Sequence, residues 1–209
     1  MEVDDNSLRS SRSRLAMYLS NAVHAKSATL AAMTQTIELC AGQAGDAATI
    51  SALAIQVFLD TYATEGIRPE LAREALREYC TQAFECRLCE AKRRFLLAKR
   101  GDALLGFAEL HTEAQASPAG TLVGAELIRL YVQPAMQGQG VGGRLLRAAE
   151  QLAQDADARS VWLTVWSGNH RAQKFYARKG YTDPGETKYA IEGVEYSNRV
   201  LANAKCSFD

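Results

Sequence analysis

Apolar residues recur along this chain with two periods. Ile50, Leu53, Ala54, Val57 and Phe58 fall every three to four positions and predict a helix, with Asp46 placed to cap it. Pro69 suits the first turn of a second helix, whose stripe Leu71, Ala72, Ala75, Leu76, Tyr79, Cys80 and Phe84 keeps that spacing. Val141, Leu145, Ala149, Leu152 and Ala156 predict a third helix over 141–156, and 170–178 reads as a fourth, stopped by Gly180. The remaining apolar runs are strand-like: 37–40, 95–99, 104–111, 126–132, 161–166, and a final pair at 189–191 and 197–201. Arg100-Gly101-Asp102 reads as a hairpin turn, and 114–124, with Pro118 and Gly120, as a loop. A run of strands followed by alternating helix and strand predicts a mixed sheet with helices on both faces, an α/β (α+β) architecture.

Residues 1–35 break this regularity. Ser7-Leu8-Arg9-Ser10-Ser11-Arg12-Ser13-Arg14 is polar and basic, and the stretch to Ala32 is rich in Ala and Ser. Glu2, Asp4 and Asp5 argue against a transit peptide, and the apolar stretch of a secretory signal is missing. The expected organisation is a loosely ordered extension over 1–35 and one domain over 36–209, with Met33 as an alternative natural start.

Composition narrows the partners. Apolar residues make up 47% of the 209, enough for a packed core. Basic and acidic residues balance at 24 each, which argues against a nucleic-acid footprint. No uninterrupted apolar run approaches the roughly 18 residues of a membrane helix, so no membrane partner is expected. Five cysteines, an odd number, with no secretory signal, predict reduced thiols and a cytoplasmic location. Cys86-Arg87-Leu88-Cys89 invites a zinc reading, but only scattered Cys80, Cys40 and His24 could complete four ligands. Buried or half-exposed helix thiols, and no metal, are expected instead.

The chemistry concentrates in Gln137-Gly138-Gln139-Gly140-Val141-Gly142-Gly143, between a strand and a helix. The first N–H groups of a helix lack intrahelical partners and carry partial positive charge, and glycines let the chain curl around a phosphate. Gly138, Gly140 and Gly143 also fit the dinucleotide pattern G-x-G-x-x-G. That motif starts at the strand end, with an acid about 20 residues on. Here Gln133-Pro134-Ala135-Met136-Gln137 intervenes, and Asp157 precedes the next strand instead of ending it. A P-loop needs Gly-Lys-Ser/Thr, where this chain has Gly143-Arg144-Leu145. A flexible loop without a ligand is the plainest alternative.

Gln137-x-x-Gly140-x-Gly142 resembles the Gln/Arg-x-x-Gly-x-Gly/Ala signature of the GNAT superfamily of N-acetyltransferases. A second block, from Val161 through Asn169, Ala172, Phe175 and Tyr176 to Gly180-Tyr181, is similar to that family's strand, Asn-x-x-Ala-x-x-Phe-Tyr helix and closing Gly-aromatic pair. The likeness runs from about Met33 to Ala202. It implies a single twisted, mostly antiparallel sheet whose central strands splay apart to admit coenzyme A. Within the superfamily, Phe58-Leu59-Asp60-Thr61-Tyr62, Ile128-Arg129-Leu130-Tyr131-Val132 and Trp162-Leu163-Thr164-Val165-Trp166 look most like the bacterial polyamine N-acetyltransferases.

The resemblance implies acetyl-CoA as cofactor and transfer of its acetyl group to a primary amine. Backbone amides of Gly138, Gln139, Gly140, Val141, Gly142 and Gly143 would hold the pyrophosphate, with Gln137 shaping the entry. The main chain of Leu130, Tyr131 and Val132 would run beside the pantetheine, one amide facing the thioester oxygen; the same residues also read as plain strand core. Asn169 is an N-cap and, by the family pattern, a contact to the cofactor arm. Tyr176 aligns with the family's general acid, protonated at neutral pH, although Phe175-Tyr176 can equally pack helix on sheet. Glu126 is the candidate base for the ammonium, through a water, or else a solvated edge carboxylate. Asp60 and Tyr62 are candidates to receive a cationic acceptor, by charge and cation–π contact, or else are surface residues at a helix C-terminus; Trp166 is a candidate to line the acceptor cleft, or else fills the strand face. His170, at a helix start, is expected to face solvent. The partner is thus a small-molecule amine, with a protein N-terminal amine open, and the chain a monomer or homodimer. A non-catalytic acyl-CoA sensor is the reading from a different class.

Overall fold

Asp46 stands where a helix begins but does not cap it. In the computed structural model, which describes residues 36–118 and 123–203, its carboxylate accepts from the Gln43 N–H at 2.9 Å and pairs with Lys99 at 2.6 Å. It closes a short 3-10 turn, Ala44–Asp46, ahead of α1 (Ala47–Tyr62). The proposed extension 1–35, the alternative start at Met33, His24 and Cys206 lie outside the described residues.

Two further helices come next, α2 (Pro69–Glu78) and α3 (Thr81–Cys89). The apolar stripe predicts one continuous helix here. The chain instead turns extended at Cys80, with ψ 155°. The carbonyls freed by that break have partners: Ser51 Oγ donates to Tyr79 O at 2.6 Å, and Arg87 Nη1 to Glu78 O at 2.6 Å. Leu71, Ala75, Tyr79 and Phe84 are buried as expected, whereas Leu76 is 69% exposed. Cys86 and Cys89 are exposed, not packed inward.

The strands are β1 (Glu38–Ala41), β2 (Arg93–Arg100), β3 (Ala103–Ala116), β4 (Val123–Val132), β5 (Val161–Trp166), β6 (Thr182–Ile191) and β7 (Val194–Asn203). They form one sheet in the order β1-β2-β3-β4-β5-β7-β6. Every neighbouring pair is antiparallel except β4 and β5. β6 is longer than its sequence suggests because Glu192-Gly193, both at positive φ, close a tight hairpin that pairs polar residues far up the strand.

Helices cover both faces. α1, α2 and α3 bury Ile50, Phe58, Leu71 and Phe84 against Phe95, Leu97 and Phe107 of the sheet. Ala108 and Leu110 alternate with Phe107 and face the other way, where α4 (Val141–Asp155) packs. Its buried stripe is Val141, Leu145, Leu146, Ala149 and Ala153, so the axis is rotated from the expected line through Leu152 and Ala156. α5 (His170–Arg178) has the bounds its sequence predicts.

Candidate active site

The sheet opens between its two parallel strands. β4 and β5 pair only at Ala125↔Val161 and Glu126↔Trp162; beyond these each stays paired with its outer neighbour, to Val132 and Trp166, but not with the other. The closed end is tight. The Ala125 N–H donates to Ser160 O at 2.9 Å, and a Cβ at Gly124 would stand 2.3 Å from that same oxygen. Just beyond Glu126, β4 bulges: Leu110 faces Leu127 and Glu109 faces Arg129, leaving Ile128 unpaired. Farther on, the Gln133 N–H donates to Leu105 O of β3 at 2.9 Å. N–H direction alternates along a strand, so the amides of Leu130 and Val132 turn away from β3 and into the V.

At the mouth of the V the chain passes a 3-10 turn, Pro134–Met136, and reaches the glycine loop. Gly138 and Gly140 hold φ of 79° and 80°, which a side chain would strain, and a Cβ on either would meet nothing within 4 Å. Gly140 is the N-cap of α4 and supplies no side-chain cap, so the first amides of that helix are left for an anion. The Gln137 side chain braces the loop: its Nε2 donates to Val132 O at 3.2 Å and its Oε1 accepts from Arg171 of α5. Lys179 comes alongside, its Nζ 3.3 Å from where a Gly143 Cβ would lie. This open, amide-lined, cation-flanked curl fits a diphosphate.

α5 brings two more of the anticipated residues. Asn169 Oδ1 accepts from the Ala172 N–H at 3.0 Å, so the cap is realised. Tyr176 is 7% exposed, its ring 5.4 Å from that of Tyr181, and its hydroxyl makes no hydrogen bond among the described residues. Burial raises its pKa well above the ordinary phenol value. His170 is exposed.

On the opposite face, Tyr62 and Trp166 meet at a ring separation of 5.3 Å, and Tyr196 stands edge-on to both. The Tyr79 and Tyr131 hydroxyls approach to 3.4 Å beside them. Asp60 does not join this group: Phe58 and Tyr62 share the inward face of α1, and Asp60, two positions from each, is exposed on the outward one.

The sequence model described as the Acetyltransferase (GNAT) family matches residues 58–181. The chain belongs to that family. An uncharacterized N-acetyltransferase of Lactobacillus delbrueckii subsp. lactis is 23% identical over 153 residues, 73% of this chain and 88% of the relative. The aminoalkylphosphonate N-acetyltransferase of Salmonella typhimurium is 31% identical over 117 residues, 56% of this chain and 72% of the relative. The crystal structure of the PaiA N-acetyltransferase of Thermoplasma acidophilum in complex with coenzyme A has a TM-score of 0.61 at 21% identity, covering 78% of this chain and 98% of that one, a likeness of fold. The protein is an acetyl-CoA-dependent N-acetyltransferase.

A charged cluster that no local motif marks lies on the aromatic face of β2, β3 and β4 in this acetyltransferase. Glu109 is fully buried and accepts from Arg93 and Arg129, each at 2.5 Å. The Arg129 guanidinium also lies 5.1 Å from the centre of the Tyr79 ring. Glu126 and His111 sit opposite one another in the same cluster. Burial raises the Glu126 pKa above the ordinary carboxylate value, Glu109 adds to that, and His111, Arg93 and Arg129 oppose it. The signal was present: Glu109 and His111 follow Phe107 at every second position of β3 and so share its face, and Arg129 interrupts an apolar run on β4. Among the described residues no group of three metal-ligating side chains forms, and no helix is long and apolar enough to cross a membrane.

Proposed function

We propose that this acetyltransferase moves acetyl from the thioester to the primary amine of a small molecule by direct attack, inside the V between β4 and β5. One observation carries the reading: two backbone amides, of Leu130 and Val132, turn into a gap whose mouth is the amide-lined loop 137–143. Acetyl-CoA supplies an activated acyl group when it is bound. The loop amides hold its diphosphate, with Gln137 keeping the curl in place and Asn169 fixing the start of α5 alongside. Leu130 and Val132 offer N–H groups to the carbonyl oxygen as it gains charge, and being backbone they need no reorganisation to do so. Tyr131, between them on β4, turns its side chain to the aromatic face.

Tyr176 faces the sulfur in this reading. A phenol whose proton affinity is raised by burial does not hand its proton outright to a thiolate, since a thiol titrates far lower, at about 8.5. Its contribution is a hydrogen bond donated as negative charge builds on the leaving group. Glu126, at the closed end of the V, takes the proton the ammonium must lose.

Tyr62 and Trp166 form an aromatic wall suited to an alkylammonium acceptor. With Asp60 turned outward, the second amine of a polyamine finds no carboxylate from that residue. A compact amine therefore suits the wall better than a long polycation. The relationship to an aminoalkylphosphonate N-acetyltransferase points the same way.

The deciding experiment measures free thiol released from acetyl-CoA against a panel: 2-aminoethylphosphonate, other short amines, spermidine, and a peptide with a free N-terminus. Turnover of a short amine is expected. Tight acetyl-CoA binding with no acetylated product on any amine would make the protein a sensor instead.

A further inference from the structure

We propose that His111 is a positioning residue for the proton acceptor: a water held between its Nδ1 and the Glu126 carboxylate relays the proton that the ammonium gives up. The proposal rests on the reading of Glu126 as base.

Three observations converge on the pair. His111 and Glu126 are register partners across β3 and β4, so their side chains share one face, with Cβ atoms about 5 Å apart as such partners are. The Nδ1 of His111 is buried and has no hydrogen-bond partner among the described residues. Buried ring nitrogens are rarely left so, and a bridging water is the usual answer. Glu126, half-buried, likewise makes no hydrogen bond or ion pair among the described residues. Two acceptors facing each other at this spacing are joined by one water that donates to both, with the imidazole proton on Nε2.

The other charged neighbours leave this role to the pair. Arg93 of β2 and Arg129 of β4 both act on Glu126, but their guanidiniums are engaged by Glu109 of β3, one on each oxygen. Trp162, opposite Glu126 on β5, brings no charge. Glu126 also occupies the last paired position before β4 and β5 part, so its carboxylate stands where the closed sheet meets the V.

The protons balance. An N–H bond of the ammonium breaks, the nitrogen keeps its electron pair, and the proton passes through the water to form O–H on Glu126. The same water then carries a proton to Nδ1, restoring the carboxylate. The ring then returns the Nδ1 proton through that water to solvent, so each turnover ends with the ring proton on Nε2 and Nδ1 again an acceptor.

The test uses the full chain with two acceptors of similar size: ethylamine, charged at neutral pH, and methoxyamine, which is not. His111→Gln is expected to lower the ethylamine-to-methoxyamine ratio of kcat/KM about tenfold, a modest share of what a proton relay contributes. Added imidazole should restore part of it. An unchanged ratio, with both amines slowed equally, reduces His111 to a structural role and overturns the proposal. If Glu126→Gln alone lowers the ratio, the base stands and the relay falls; if neither variant does, both fall. Ring-nitrogen NMR gives a readout independent of turnover. The His111 Nδ1 shift should move in Glu126→Gln while the His170 shifts stay, and an unmoved His111 overturns the coupling.

Discussion

Arg129 Nη1 lies 2.5 Å from Oε2 of Glu109, a carboxylate with no solvent exposure in the middle of the sheet. Arg93 takes the other oxygen, so one buried anion ties β2, β3 and β4 together beneath the aromatic wall. Removing the anion takes the carboxylate partner from Arg129 and leaves Arg93 only Glu90 among the described residues, at 2.6 Å. Glu109→Ala is expected to destabilise the protein by about 3 kcal/mol or more in urea unfolding. Replacing all three charges with apolar residues of similar volume should recover much of that loss. A Glu109→Ala protein as stable as the parent would mean the cluster is solvated.

The Tyr176 hydroxyl has no hydrogen-bond partner among the described residues to lose, so Tyr176→Phe should fold with an unchanged melting temperature. If its hydroxyl serves the leaving sulfur, kcat falls about 100-fold while the Kd for acetyl-CoA stays within about twofold, the signature of a donor used only as charge develops. Turnover equal to the parent's would return Tyr176 to packing α5 on the sheet.

Gly140 separates conformational from steric demands. A Cβ there meets no atom of the protein, yet φ of 80° is left-handed. Gly140→Ala should therefore cost about 1 kcal/mol of local strain. The loop relieves that strain by opening, so coenzyme A binding by calorimetry should weaken about tenfold, with a smaller change in global stability. Undiminished binding would move the diphosphate away from this curl.

Most of the frame was legible because it rests on short-range rules. β5 and α5 have their expected bounds, since Val161–Trp166 is a clean apolar run and Asn169 caps the helix after it. The break at Cys80 was not legible, because it depends on Ser51 and Arg87 reaching the freed carbonyls from elsewhere in the chain. The rotation of α4 onto Leu146 and Ala153 was set by the sheet it packs on, not by its own stripe. For the site, the glycine loop and Tyr176 could be named from local motifs. The pairing of His111 with Glu126 needed the β3–β4 register, which a bulge at Ile128 shifts by one residue. Asp60 and Tyr62 looked like neighbours in sequence, and helical geometry puts them on opposite faces.

Asn169 tests capping against ligand contact. Its Oδ1 bond to the Ala172 N–H survives in Asn169→Asp and is lost in Asn169→Ala. Loss of a cap alone should cost about 1 kcal/mol, a fall of about 3 °C in Tm, with acetyl-CoA affinity changing only through α5. If Asn169→Asp keeps the Tm and still loses affinity, the side-chain amide itself touches the cofactor.

Glu126 should make activity and stability respond to pH in opposite directions. Its folded-state pKa is raised, chiefly by burial, with Glu109 adding to the effect. The native protein thus holds that proton more tightly than the unfolded chain does. Its contribution to stability is present below the ordinary carboxylate value and is lost as pH rises through the folded value. A general base works only when ionised, so kcat/KM should climb across the same window, with its acid limb above the ordinary carboxylate range. Glu126→Gln removes both responses at once. Its Tm relative to the parent should increase as pH rises through that window and then level off, while its turnover of ethylamine stays low throughout. A Tm difference that does not vary with pH would show that burial does not perturb this carboxylate, and an acid limb retained in the variant would assign the base to another group.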